Sequence, residues 1–478
     1  MYKKQNRAQL SMEEFFLPFG GRLSAENRWV KMAKLMPWDM IEDLYAGGFV
    51  DDKKDGRPPL PARIAFGAIY IKEQEGLTDR EAVDYIAENP YMQYFLGLSA
   101  FQVEPLFDNS MMARFRHRFT PEMMSKINEE IYRRSSPPEP PVDGGNDGTL
   151  ILDATAAPAD VRYPTDLSLL NECRENTEAI IDHVWEVCGL GGRRQFYDRK
   201  KARAKYLKIA KQRKPRKRQI KQAIKEQISF AEKNLGVLDG LAPETWLALE
   251  LMGHQGRIDT IRKVLEQQKL MAQTGSHSVE DRIVNLRQPH VRPIVRGKVS
   301  APVEFGQKIA VSVVNGYTFI ERQSWDNFSE GITLIESAEK YRDRHGVYPE
   351  AILADKTYRN RENIKFCKAN GIRLTGPRLG RPKKAEIEAD KAQAYADSCE
   401  RNMVEGRFGI GKRRYGLDLI MARLPFTAET EAALNILAMN VARLLRLLLR
   451  LFFERLARLI QREMCPGLAL GSGQNSIV

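Results

Sequence analysis

Two short apolar runs that each end in an acid constrain the fold of this chain most: Leu150-Ile151-Leu152-Asp153 and Ala351-Ile352-Leu353-Ala354-Asp355. Each reads as a short buried strand that delivers a carboxylate at its C-terminal end. Between them, strand patterns at 307–314 and 317–323 flank Asn315-Gly316, the strongest short hairpin signal. A helix is expected at about 330–344, a strand at 371–375 and a helix from about 383 to 408. With residues 179–285 set aside, the order is strand, hairpin, helix, strand, helix, strand, helix. That order describes an α/β domain with a mixed sheet covered by helices.

The rest of the chain divides around this domain. Residues 26–48, 60–76 and 78–96 carry apolar side chains at helical spacing, and Thr78 with Glu81 forms a capping-box pattern. Short helices joined by tight turns, followed by Arg114, Arg116, His117 and Arg118, resemble a helix-turn-helix arrangement, although other helical bundles share the pattern. Residues 135–149, rich in Pro, Gly and Asp, have no capacity to pack a core and mark the firmest boundary. The expected division is an N-terminal helical DNA-binding domain (1–134), a linker (135–148), an α/β domain (149–178 and 286–430), a basic helical insertion (179–285), and a C-terminal amphipathic helix and tail (431–478).

Charge supplies the partner class. The 478 residues carry a formal net charge of +13, and 193–225 hold sixteen Lys or Arg against the single acid Asp198. Such an excess favours a polyanion. Within this block Arg199, Lys200, Lys201, Arg216, Lys217 and Arg218 are the candidate phosphate contacts, and Phe196, Tyr197 and Tyr206 are interleaved where bases could stack. A solvated basic helix face gives the same pattern. The five cysteines are scattered without a CxxC pair, which argues against disulfides or structural zinc and fits a reducing cytoplasm. The opening residues lack a continuous apolar signal region. The most apolar stretch, 432–453, is interrupted by Arg443, Arg446 and Arg450 on one helix face, so it reads as a helix packed on protein rather than a membrane span.

The acids carry the chemistry. If the two strands are neighbours, Asp153 and Asp355 emerge at one sheet edge, where they repel unless a cation sits between them. Magnesium suits hard oxygen ligands of this kind, with manganese as a substitute. Each Asp could equally cap a turn. Arg401, Glu405, Phe408 and Lys412, spaced i, i+4, i+7, i+11, share one face of a continuous helix, though Gly406, Gly409 and Gly411 would let it fray before Lys412. Asp160, Asp166, Asp326 and Glu330 compete as ligands but sit in loop contexts that suit turns and caps; among them Asp326 is the foremost extra participant. Trp325 beside it reads as a core aromatic.

Several stretches together resemble bacterial insertion-sequence transposases of the DDE type: LDATAAPADVRYPTD around Asp153, ADKTYRNRENIKFCKANGIRLTGPRLGRPKK from Asp355, RNMVEGRFGIGKRRYGLDLIMARL around Glu405, and the hairpin region from His290. With the N-terminal helices, the resemblance covers most of residues 10–450. It implies a ribonuclease-H-like catalytic domain in which Asp153, Asp355 and Glu405 bind catalytic metal ions. Part of that family has a Tyr-x2-Arg-x3-Glu-x6-Lys signature; Arg401, Glu405 and Lys412 match its spacing, and Ser398 occupies the tyrosine position. The resemblance further implies that Arg401 and Lys412 hold phosphates. The expected activity is cutting of double-stranded DNA at element ends and joining of the 3′ ends to target DNA, by a homodimer in a nucleoid-associated, cytoplasmic setting. A nuclease without strand transfer and a non-catalytic DNA-binding protein are the rival readings.

Overall fold

The computed structural model describes residues 11–49, 58–135, 145–190, 199–276, 278–295, 303–376 and 386–464. The N-terminal part holds α1 (Arg28–Leu35), α2 (Trp38–Gly47), α3 (Ala62–Glu75), α4 (Asp79–Glu88), α5 (Pro90–Phe95), α6 (Met111–Arg118) and α7 (Pro121–Ser135). Pro37 and Pro90 break what periodicity alone joins, since proline cannot continue a helix from within. The Thr78 cap forms as read: Glu81 N donates to Thr78 Oγ1, and Glu81 Oε2 accepts from Thr78 N at 2.8 Å.

A mixed sheet follows. Its strands are β1 (Thr149–Pro158), β2 (Arg292–Val295), β3 (Val303–Val314), β4 (Tyr317–Ser324), β5 (Ala351–Leu353) and β6 (Arg373–Leu374). The order is β2-β3-β1-β5-β6, with β4 also paired to β3. β1 runs antiparallel to β3 and parallel to β5. Asn315 and Gly316 turn the β3–β4 hairpin with φ of 50° and 75°. Three expectations are corrected. β1 does not end at Asp153 but continues to Pro158, because β3 pairs with it along that whole length. β2 was not foreseen; it is short, and only Ile294 of its four residues is buried. The helix bearing Glu405, α15 (Glu386–Arg414), does not fray before Lys412, because Val404, Arg407 and Gly411 are buried and packing outweighs the glycine penalty.

The helices of the sheet domain are α13 (Leu334–His345) and α14 (Arg361–Ala369), with α15 already given. The inserted helices are α8 (Asp166–Val187), α9 (Arg199–Ala210), α10 (Lys217–Asp239), α11 (Pro243–Leu251) and α12 (Gln255–Thr274). α8 runs unbroken through residues 178 and 179, where charge composition placed the boundary. Its apolar residues on both sides, from Leu169 to Val184, share one cluster with Ile228, Leu235, Ile258 and Ile261. The inserted unit therefore begins at Asp166.

The linker separates chain segments but not cores. One apolar cluster joins Trp29, Phe66, Tyr70 and Phe95 of the N-terminal helices to Leu150, Leu152, Phe319 and Ile352 of the sheet. The keystone is α16 (Pro425–Met464), whose Leu434, Leu437, Ala438 and Val441 lie in that cluster. Polar bonds lock the junction: Asn128 of α7 and Asn440 of α16 bond to each other at 2.8 Å and both donate to Thr318 O of β4. Residues Pro425–Leu451 are long and apolar enough to cross a membrane, but most of that stretch is buried inside the protein. Replacing Leu437 by Ala should cost about 2–5 kcal/mol, as for other buried leucines. Amide exchange should then speed up together in α3 and β1; β1 losing protection while α3 keeps it would contradict a shared core.

Candidate active site at the sheet edge

Strand register builds the site. Ile151 pairs with Leu353; two residues further along the chain come Asp153, still on β1, and Asp355, just beyond the end of β5. Side chains two apart point the same way along a strand. β5 stops at Leu353 while β1 carries on beside β3, so Asp153 lies at the step where the sheet opens. Its Oδ1 accepts from Ala154 N at 2.8 Å. Burial pushes the Asp153 carboxyl up from 3.8 to about 6, and the Glu330 and Asp355 charges push the same way, against the Ala154 bond and Arg401. Asp355 is half exposed and caps the single turn Lys356–Tyr358, accepting from Lys356 N at 2.6 Å. Arg401 reaches across from α15, its Nη1 3.6 Å from Asp355 Oδ1.

The structure thus brings together Asp153, Asp355 and Arg401. Glu405 lies one helical turn beyond Arg401 and is exposed; among the described residues no group of three or more acids, histidines or cysteines stands close enough to hold a metal. Lys412 is a further two turns along, 3.8 Å from Glu304. Burial, and to a lesser degree the charges of Glu330 and Asp355, raise the Asp153 carboxyl. The donor chemistry fits a hard divalent ion: carboxylate oxygens on one edge, with no softer ligand needed.

Several other candidates have structural partners. Asp166 accepts from Arg282 at 2.9 Å and from Gln268 at 3.1 Å. Asp326, favoured above as the extra participant, is exposed and lies 3.7 Å from Arg292. Among the competing acids, Glu330, read above as a turn or cap residue, is the one whose charge acts on Asp153. Its only sequence signal was position, at the start of the first helical turn after the hairpin. Trp325 is packed as expected, donating to Glu429 Oε1 at 2.7 Å beside His290.

The basic surfaces are partly consumed by folding. Arg199 is tied to Asp182 at 2.6 Å and to Glu178 O at 3.0 Å, so it holds α9 to α8. Lys200, Lys201, Arg216, Lys217 and Arg218 are exposed. Tyr206 packs with Leu167, Ile209 and Ala223 rather than offering its ring to a base; Phe196 and Tyr197 lie outside the described residues. In the N-terminal helices, Arg116 grips Asp79 through two bonds of 2.6 and 2.7 Å, and Arg118 lies 4.3 Å over the Phe49 ring. Arg114 and His117 are exposed.

A sheet ordered β4-β3-β1-β5-β6, with helices on it, one carboxylate within β1 and another just past the end of its parallel neighbour β5, defines a ribonuclease-H-like domain. Residues 352–442 match the model of the transposase DDE domain, and residues 18–118 match that of a transposase domain, DUF772. The two matches indicate an insertion-sequence transposase of the DDE type. The first spans Asp355, Arg401, Glu405 and Lys412; Asp153 lies in neither. A curated relative, "Uncharacterized protein ORF8 in nfe locus" of Rhizobium meliloti, is 32% identical over 145 residues. That match covers 29% of this chain and 66% of the relative, just under two thirds of its length. No solved structure matches.

The raised carboxyl has a consequence for stability. A group that binds its proton more tightly in the folded state lowers stability as pH rises from its unfolded value, 3.8, through its folded value, about 6. Asp153→Asn, which keeps an acceptor for Ala154 N, should therefore raise the melting temperature in EDTA at pH 8. The gain should vanish by about pH 4. An equal gain at both pH values would show that charge is not its cause.

Proposed function

We propose that this protein cuts the ends of the DNA element that encodes it and joins the freed 3′ ends to target DNA. The observation that supports the reading is the parallel pairing of Ile151 with Leu353, two residues before Asp153 and Asp355, in a ribonuclease-H-like sheet. Asp153, Asp355 and Glu405 would hold divalent metal ions there, magnesium or manganese. When bound, such ions activate water or a 3′-hydroxyl and stabilise the leaving oxygen of an in-line phosphoryl transfer.

The chain's own groups prepare that chemistry. With its proton leaving at about 6, Asp153 is ionised at neutral pH and able to act as a ligand. The Asp355 carboxylate is fixed by the Lys356 N–H, and Arg401 supplies positive charge at the mouth of the site, where a scissile phosphate would sit. Lys412, two turns further along the same helix face, would meet the backbone beyond it. Lys200, Lys201, Arg216, Lys217 and Arg218 extend a basic surface on the inserted helices that suits double-stranded DNA. Two ends must be processed in one event, so two protomers are expected in the active complex.

The test uses purified protein and a plasmid carrying the element with its native flanks. Mg²⁺ or Mn²⁺ should give 3′-hydroxyl ends at the element boundary and joined products, and Asp355→Asn should abolish both. Cutting without joining would favour the nuclease reading. Salt-sensitive binding with no metal-dependent product would favour the DNA-binding one.

A further inference from the structure

Glu330 opens the turn Glu330–Thr333 that follows the hairpin, and the fold clamps that turn against the turn bearing Asp355. Gly331 sits so close to it that a Cβ there would come within 2.6 Å of Thr357 O. Asn363, buried on α14, donates from Nδ2 to Gly331 O at 2.7 Å and to Tyr358 O at 2.8 Å, stitching the two turns together. From the other side comes Lys308 of β3, nearly buried. Its Nζ donates to Phe328 O at 2.9 Å and Asn327 Oδ1 at 3.3 Å, and stands 3.0 Å from Glu330 Oε1. Glu330 is thus held on both flanks beside the Asp153–Asp355 edge.

A second, independent feature points into the same space. Tyr358 is fully buried, and its hydroxyl lies near Thr333 without a well-formed hydrogen bond. Burial pushes that hydroxyl's pKa up, and the charges of Glu330, Asp153 and Asp355 all add to the push. Buried hydroxyls nearly always have a partner, and an orphan calls for an ordered water or ion.

We propose that Glu330 is a third carboxylate of this edge, a positioning residue that accepts hydrogen bonds from water on a divalent cation held by Asp153 and Asp355, with Lys308 fixing its orientation. Hydrated magnesium keeps several waters that need such acceptors. The inference rests on the metal site proposed above and deepens it.

The experiment is calorimetric titration of the metal-free full chain with MnCl₂, comparing wild type with Glu330→Gln, Glu330→Asp, Asp153→Asn and Asp326→Asn. Gln keeps an acceptor for Lys308, and melting in EDTA confirms folding of each variant. Glu330→Gln should weaken Mn²⁺ binding about tenfold, in the range of outer-shell partners of metal sites. Glu330→Asp should recover part of the loss, and Asp326→Asn should bind as wild type does. Wild-type affinity in Glu330→Gln with weakened affinity in Asp153→Asn would overturn the role of Glu330 and leave the metal site standing. Unchanged affinity in Asp153→Asn as well would remove the site, and this role with it.

Discussion

The parallel pairing of β1 with β5, only Thr149–Ala351, Leu150–Ile352 and Ile151–Leu353, is the constraint on which the site depends. A slip of one residue would turn the whole of β5 over and send Asp355 to the face opposite Asp153. Burial on both faces prevents the slip. Leu150 and Ile352 enter the large cluster shared with the N-terminal helices. Ile151, Ala351 and Leu353 enter a smaller one with Val404 of α15 and Ile436 of α16. The same contact that seats Val404 aims Arg401, three residues earlier, at the carboxylates. Register, core and site geometry are therefore one arrangement.

That arrangement also explains why the N-terminal helices do not form a separate module. α16 leaves the sheet domain and threads the helical one, and the Asn128–Asn440–Thr318 bonds would leave buried polar groups unsatisfied if the two parted. A DNA surface on these helices would thus stand at a fixed distance from the Asp153–Asp355 edge. Arginine counts alone overstate that surface, because Arg116, Arg118 and Arg199 spend their charge on Asp79, aromatic rings and Asp182.

Much of this was legible in sequence, for physical reasons. The hairpin, the apolar starts of β1 and β5 before their acids, and the long helix after them announce themselves through turn chemistry and period. The α/β class follows from their order. The extension of β1 past Asp153 was hidden because Ala154, Ala156 and Ala157 give no strand signal of their own; pairing with β3 makes the strand. The start of the inserted unit at Asp166 was hidden because composition shifts later than packing does. Glu330 was named among the competing acids but ranked below Asp326, because its placement depends on Lys308 and Asn363, contacts distant in sequence. Glu405 was legible by spacing on α15, yet the helix leaves it exposed at the flank of the site.

The central claim is that a divalent cation sits at the Asp153–Asp355 edge. The most direct measurement replaces it with Fe²⁺ and maps where hydroxyl radicals generated at the bound iron cut the polypeptide. The account predicts cuts beside residues 153 and 355, suppressed by excess Mg²⁺, with a further cut beside 405 if Glu405 joins the site. Cuts confined to other parts of the chain, or cuts at this edge that Mg²⁺ does not suppress, would contradict it.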